Sequence, residues 1–497
     1  MSFALKELDS VYVAGEWVKP KSDPDPVFNP ATEEVIGLAP VGGRVEMEAA
    51  IAAAREAFDK GVWPRMSPQE RGAKLREMHA ELAKLENEIV ELMVLEVGAL
   101  RSLAKAGQFD KPMRDTLHTL ELGSRYRDTP LPPGNTPNPL GQRTFSGGVI
   151  RREPIGVVGA ITPYNFPFLL NLVKVFPALM TGNTVVLKPS PFTPFSALIL
   201  AQVAEKVGLP RGVFSVVTGG KEAGELLTTD PRVDLITFTG SDATGVAIAK
   251  QGAATLKRIH LELGGKSAHI VRGDANLAEA VTNGMRFTTH CGQGCVLPSR
   301  HLVHNSVRAR YVELLTEKVK ALKLGDPNDP STTLGPLIRE SQRGRAEHFV
   351  AEGLKSGAKL MTGGQRPSHL PKGYFFEPTV FDNVDNASPL AQEEVFGPVV
   401  AVMGFDTDQE AIDLANDSRF GLAGYVHSAD LAAAYEMACA IRAGGVHING
   451  GGGPDGNSMP PFGGYKYSGM GRENGEEGLN AFTELKTLTF RQSTPSA

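Results

Sequence analysis

Cysteine is scarce: the 497 residues hold three, Cys291, Cys295 and Cys439. They are too few and too unevenly spread for a disulfide framework, and no second Cys/His cluster completes a zinc site. A reducing compartment and no metal are therefore expected. Long apolar runs are missing too. The most apolar region, residues 156–187, is interrupted by Pro163, Asn165, Pro167, Lys174 and Pro177, which excludes a membrane-spanning helix. At the start of the chain Glu7 and Asp9 stand where an export signal would need a continuous apolar core, so a cytoplasmic protein is expected. Positive charge is in no excess. A formal net charge of −5 without a basic run argues against a nucleic-acid surface.

What is present is an ordinary globular composition, 41% hydrophobic and 22% charged, in a chain long enough for two or three domains. The first part opens with extended pieces at Val11-Tyr12-Val13 and Val27-Phe28-Asn29-Pro30. Residues 45–58, 68–85 and 86–96 then place apolar side chains at helical spacing and read as packing helices. Over residues 128–148 the composition shifts to Pro, Gly and Asn, which predicts an extended excursion of the kind that reaches a partner subunit.

Between residues 156 and 263 strand and helix patterns alternate. Residues 156–162, 184–188, 214–218, 235–239 and 259–263 read as strands, the signature of a parallel sheet covered by helices on both faces. Ligands collect at the carboxyl ends of such strands. Those ends carry Pro163-Tyr164-Asn165-Phe166-Pro167, Lys188-Pro189-Ser190 and Gly240-Ser241-Asp242-Ala243-Thr244-Gly245. The last is either a phosphate turn opening a helix or an ordinary strand-to-helix loop. Asn165 either aims its amide into the crevice or satisfies its own turn. Lys188 reads as a solvated loop cation or as a ribose ligand.

The stretch from Leu261 to Cys295 carries the chemistry. A carboxylate on the glycine turn Glu262-Leu263-Gly264-Gly265-Lys266 is separated by one strand and one helical span, residues 276–289, from a thiol in Cys291-Gly292-Gln293-Gly294-Cys295. Thiol and carboxylate form a plausible nucleophile and base. His290 precedes Cys295 by five residues, a spacing that does not place it to take the thiol proton. It reads as a helix-end residue, and Cys291 reads as packed.

Seven motifs stand in order: Pro163-Tyr164-Asn165-Phe166-Pro167, Lys188-Pro189-Ser190, Phe238-Thr239-Gly240-Ser241, Glu262-Leu263-Gly264-Gly265-Lys266, Gly292-Gln293-Gly294-Cys295, Glu394-Val395-Phe396-Gly397-Pro398 and Pro461-Phe462-Gly463-Gly464-Tyr465-Lys466. Together they resemble the aldehyde dehydrogenase superfamily over essentially the whole chain. The resemblance implies an α/β fold: a Rossmann-like cofactor domain (residues 1–128 and 151–261), an α/β catalytic domain (262–467) and a small oligomerisation sheet (129–150 and 468–497) that builds homodimers or homotetramers. In the catalytic domain, residues 268–271, 301–304, 398–402, 422–427 and 445–449 read as strands, and 306–322 and 407–416 as helices. Residues 485–490 read as a final strand pairing with the excursion, residues 129–148, by an exchange that would hold subunits together.

The resemblance also implies roles. Cys295 would add to an aldehyde carbonyl, Asn165 and the Cys295 amide would hold the oxyanion, Glu262 would activate water against the thioester, and Lys174 would stand behind Glu262. Cofactor contacts would come from Ile161, Thr162, Pro163, Lys188, Ser190, Pro191, Gly219, Gly240, Ser241, Leu263, Gly264, Glu394 and Phe396. NAD is favoured and NADP admitted, because Pro191 replaces the glutamate that binds both ribose hydroxyls in NAD-preferring members, while no Arg or Lys adjoins it in sequence. Phe166, Leu170, Val173, Thr289, Gly294, Val296, Gly456 and Phe462 would line the substrate pocket. Val173 replaces the arginine or tryptophan that serves charged substrates, so an apolar aldehyde, aromatic, long-chain or terpenoid, is expected. The glycine-rich loop 450–456 would either widen the mouth or be an irrelevant connection. A CoA-acylating enzyme would generally lack Glu262, and a non-catalytic member of the fold would not need Asn165, Glu262 and Cys295 together.

Overall fold

A computed structural model describes residues 9–137, 139, 141, 143–451 and 459–493. Gly456 and most of its glycine-rich loop, the first eight residues and the tail from residue 494 lie outside them. Two large sheets and a three-stranded ribbon organise the chain.

The first sheet has five central parallel strands in the order Arg258–Glu262, Leu235–Thr239, Val157–Ile161, Thr184–Lys188, Phe214–Val216. The chain reverses direction across the sheet between Val157–Ile161 and Leu235–Thr239, so a crevice opens at their carboxyl ends. Val157–Ile161 and Thr184–Lys188 are buried along their whole length, as their unbroken apolar runs require when helices cover both faces. Trp63, Phe168, Phe176 and Phe195 fill one face, against helices including Pro68–Ala83, Lys111–Ser124 and Pro167–Met180. Met47, Ile51, Leu227 and Ile248 fill the other. The edges are antiparallel: Val11–Val13 and Glu16–Val18 on one side, Gly469–Met470 on the other. Residues 469–480, grouped by sequence with the oligomerisation segment, are thus part of this layer instead. The strand Gly469–Met470 pairs with Leu261 and Glu262, and Leu479 of helix Gly475–Asn480 joins the first core.

The second sheet runs Lys359–Thr362, Thr379–Asp382, Val399–Phe405, Pro298–His304, Ser267–Val271, Ala423–His427, Gly445–Ile448, parallel except at its first edge. The first two of these strands were not legible in the sequence. In the ribbon, Thr483–Ser493 pairs with Arg143–Pro154, which pairs in turn with Thr129–Pro137. Leu485 faces Arg152 and Phe490 faces Gly147, so only Thr489 and Phe490 meet the expected excursion, residues 485–488 lie against 149–152, and the pairing is made within one chain where an exchange between subunits was expected.

The helical span expected over residues 276–289 is shorter. Helix Leu277–Gly284 tightens into a 3-10 segment, Thr289 turns extended, and His290 and Cys291 take left-handed backbone at φ of 51° and 54°. Two successive non-glycine residues in that region cost roughly 1–2 kcal/mol each. The reversal they impose turns residues 292–295 back toward the end of the strand Arg258–Glu262.

Candidate active site

The geometry begins at the glycine turn after Glu262. A side chain at Gly265 would put its Cβ 2.3 Å from the carbonyl oxygen of Cys295, and one at Gly264 would put it 2.5 Å from the Glu394 carboxylate. Only two bare backbones let three segments meet here. The Gly265 amide donates to Glu394 Oε1 at 2.9 Å.

The cysteine loop is anchored from several sides. Asn165, buried on the loop between Ile161 and helix Pro167–Met180, donates from Nδ2 to the Gln293 carbonyl at 2.9 Å. The Gln293 side chain accepts from the Ile338 amide at 2.9 Å and donates to the His290 carbonyl at 3.2 Å. Tyr425 donates its hydroxyl to the Val296 carbonyl at 2.9 Å. Behind Asn165, a π-helical turn, Ala104–Asp110, brings Gln108 Nε2 to the Asn165 carbonyl at 3.4 Å. Gln108 and Tyr425 carry no local sequence signal, whereas Gln293 belongs to the Gly292-Gln293-Gly294-Cys295 motif.

Cys295 is partly accessible. Burial of the sulfur, with the Glu394 and Glu262 carboxylates nearby, pushes its thiol up to about 12. It is a neutral thiol at rest and needs a proton acceptor to become a nucleophile. Cys291 is fully buried, and burial pushes its thiol up further. His290 is buried with its ring edge-on to Phe166 at 5.3 Å, and burial lowers it to about 4, so it stays neutral in the core.

Glu262 ends its strand buried, with neither carboxylate oxygen hydrogen-bonded among the described residues. His260 Nε2 lies 3.4 Å from Oε1 without making a bond. Burial, then the like charge of Glu473, holds the Glu262 carboxyl well above its ordinary range, while Lys174 and Arg472 oppose the shift. A side chain at Gly463 would sit 2.7 Å from Glu262 Oε1. Lys174 was expected near Glu262 as a residue acting from behind the reacting groups, and its charge does bear on that carboxyl while its bonds go to neighbours. Its fully buried Nζ donates to Glu473 Oε1 at 2.7 Å and to Thr237 Oγ1 at 3.1 Å, so it acts on Glu262 through charge alone. Glu473 escaped the sequence reading because nothing local marks it. Its backbone pairs with Phe462 by two 2.7 Å bonds.

At the crevice, the Thr162 amide donates to the Lys188 carbonyl at 3.2 Å, so Ile161, Thr162 and Pro163 lie beside the end of the strand Thr184–Lys188. Lys188 is buried, and among the described residues its Nζ donates only to the Pro189 carbonyl at 2.9 Å. Burial lowers its ammonium to about 8. Ser241 caps helix Asp242–Ala253, whose Gly245 lies against Leu263; the first-turn amides and the dipole of that helix suit a phosphate. Ser190 Oγ accepts from the Phe192 amide at 3.2 Å, with half-buried Pro191 between them. Gly219 packs its backbone against the Gly42 carbonyl, just before helix Lys221–Thr229. Glu394 keeps acceptor capacity beyond its one amide bond, and burial raises its carboxyl to about 7. Phe396 meets Tyr164 edge-on at 6.0 Å. An underused buried ammonium, a capped helix start and a carboxylate with spare lone pairs match the ribose hydroxyls and pyrophosphate of a dinucleotide.

The substrate candidates divide. Phe166 and Leu170 lie on one helical turn beside His290, Thr289 is at the kink, and Val296 is held by Tyr425. Gly294 faces Leu297 instead of open space. Val173 lines a narrow, mainly apolar cleft with Leu172, Phe176, Met459 and Leu479, and Asp115, Thr119 and Asn474 make its polar side.

The aldehyde dehydrogenase family model matches residues 17–488. A 3-succinoylsemialdehyde-pyridine dehydrogenase from a Pseudomonas species is 39% identical, covering 97% of this chain and 99% of its own. Betaine aldehyde dehydrogenase from Staphylococcus aureus, solved in complex with NAD+, is 36% identical with a TM-score of 0.92, covering 97% of this chain and 94% of that one. A variant of aldehyde dehydrogenase C from Pseudomonas syringae, solved with NAD+ and octanal, is 37% identical with a TM-score of 0.90, covering 97% and 96%.

Proposed function

The chain belongs to the aldehyde dehydrogenase family, and from that premise we propose that it oxidises an aldehyde to the carboxylic acid through Cys295, with NAD as the preferred oxidant and NADP also accepted. Lys188, Ser241 and Glu394 would hold the dinucleotide, which supplies the hydride acceptor when bound. The Cys295 sulfur forms a bond to the aldehyde carbon as the thiol proton passes to a water molecule in the cleft. The oxyanion that develops is met by the second N–H of Asn165 and by the Cys295 amide. Loss of hydride from the carbon leaves a thioester on Cys295. Glu262 then takes a proton from water, whose oxygen bonds to the thioester carbon, and the acid departs as the thiol is regenerated.

One observation carries this reading: a buried carboxyl with both oxygens free of hydrogen bonds among the described residues, leading into a glycine turn seated against the Cys295 peptide. A carboxyl kept weakly acidic by burial is suited to act as a base near neutrality. The test is Glu262→Gln in stopped flow. A burst of reduced cofactor close to one equivalent should persist, followed by a turnover slowed by at least about a hundredfold. Loss of the burst itself would assign Glu262 a different role.

For the substrate we favour an apolar aldehyde, aromatic, long-chain or terpenoid. Phe166, Leu170 and Phe462 support that class, and the polar residues beside Val173 allow one hydrogen-bonding group at the far end. The relatives span cationic, pyridine-bearing and alkyl aldehydes at similar identity, so family membership leaves the substrate open. Ranking kcat/KM for octanal, benzaldehyde, acetaldehyde and betaine aldehyde decides it, and a preference for betaine aldehyde would reject the apolar assignment. Exposed Phe145, Leu488 and Phe490 on the ribbon support a homodimer or homotetramer built there. Among the described residues no helix is long and apolar enough to cross a membrane. Three free thiols suit a cytoplasmic setting.

A further inference from the structure

At the mouth of the crevice one cation has no polar partner among the described residues. Arg339, half-buried, caps the start of helix Glu340–Lys355 in the part of the chain that carries the second sheet. Its guanidinium lies over the Phe192 ring, 4.3 Å from the centroid, and among the described residues no carboxylate or carbonyl accepts a hydrogen bond from it. Stacking on an aromatic face orients a guanidinium while leaving its in-plane N–H donors unused.

Phe192 belongs to the loop that starts at Lys188. Its amide donates to Ser190 Oγ at 3.2 Å, and its ring meets Tyr164 at 6.1 Å, which meets Phe396 at 6.0 Å. Arg339 therefore stands over the loop whose first residue is the ribose ligand of the reading above. Nothing acidic on that loop repels a phosphate, because Pro191 follows Ser190. The carboxylates that share the surroundings of Arg339 have other partners: Glu340 lies 3.7 Å from Arg343, and Glu33 accepts from the Gly373 amide at 2.8 Å.

We propose that Arg339 is the receptor for a phosphate on the 2′-oxygen of the cofactor's adenosine ribose, which makes the chain a dual-cofactor enzyme. Two in-plane N–H groups match two phosphate oxygens, the arrangement in which arginine binds such groups most strongly. This rests on the dinucleotide reading and adds to it a specificity residue supplied by the opposite wall of the crevice.

Isothermal titration of the full chain with NAD+ and NADP+ tests it without turnover. Arg339→Ala should weaken NADP+ by about tenfold to a hundredfold, as loss of a charge-assisted hydrogen bond does. NAD+ binding should stay within about twofold. Arg339→Lys should fall between wild type and Arg339→Ala, and Pro191→Glu should weaken NADP+ selectively by placing a carboxylate beside the phosphate. Equal losses for both dinucleotides in Arg339→Ala and Arg339→Lys would reduce Arg339 to a structural role and overturn the proposal. So would an unchanged affinity for NADP+, or a wild type that binds NAD+ but takes NADP+ about a thousandfold more weakly. A wild type that binds neither would overturn the dinucleotide reading together with this one, and is told apart by the failure of NAD+ itself.

Discussion

Removing the charge of Lys174 should move the pH dependence of hydrolysis upward, and removing that of Glu473 should move it downward. Lys174 and Glu473 form a buried pair with Nζ to Oε1 at 2.7 Å, their side chains 0% and 5% exposed. Each acts on the Glu262 carboxyl in the opposite sense: Glu473 raises it and Lys174 lowers it. A charge within about 4–6 Å moves a carboxyl by about 1–3 pH units. Taking the low end because the two effects partly cancel, Lys174→Met should raise the acidic limb of the hydrolysis rate by about one unit. At a pH below that limb the loss is about tenfold, and it should recover as the pH rises. Glu473→Gln leaves the ammonium facing Glu262 unopposed, and the limb should fall by about the same amount. The double variant should return toward wild type. Each single change strands a buried charge at a cost of about 3–5 kcal/mol of stability, so thermal midpoints must be recorded alongside. Stopped-flow separation of the burst from the slower hydrolysis, between pH 5 and pH 10 in roughly half-unit steps, isolates the Glu262 step. Shifts of both single variants in the same direction, or no shift with the burst intact, would refute the electrostatic account.

Asn165→Ala removes both the anchor on the Gln293 carbonyl and the candidate oxyanion donor. It should lower kcat by about 10²–10³, as loss of one such donor does, with cofactor affinity by calorimetry unchanged; a drop in affinity instead would make it a purely structural residue. A second expectation concerns acid stability. His269, His301 and His427 lie on neighbouring strands of the second sheet with tilted rings whose centroids are 4.7 and 4.8 Å apart, and burial lowers His301 to about 3, His427 to about 4 and His269 well below its ordinary value. Because the folded values lie below that of the unfolded chain, about 6.5, the unfolded chain binds more protons between them, and stability is full above that pH and lost as pH falls through it. At pH 5.5 the loss is about 1.4 kcal/mol per ring, or about 4 for the three. Calorimetry at pH 7.5 and 5.5 measures it, and equal melting points would contradict the assignment.

The chain's local patterns by themselves determined the alternation of strands and helices, the crevice at the carboxyl ends of the first sheet, and the turns that carry Glu262 and Cys295. Each depends on neighbours within a few residues: an unbroken apolar run such as Thr184–Lys188 needs cover on both faces, and a double glycine permits a backbone approach wherever it falls. The early end of the helix before Cys295 was hidden, because His290 and Cys291 adopt left-handed backbone only when the surrounding fold holds them there. Tertiary structure alone decided the partners. Lys174 meets Glu473 across 299 residues, Tyr425 reaches Val296 across 129, and Arg339 arrives over Phe192 from the other side of the crevice. Charge and hydrogen bonding act through space, so the residues that tune the carboxyl and face the cofactor are set by which strand ends the folded sheets bring together.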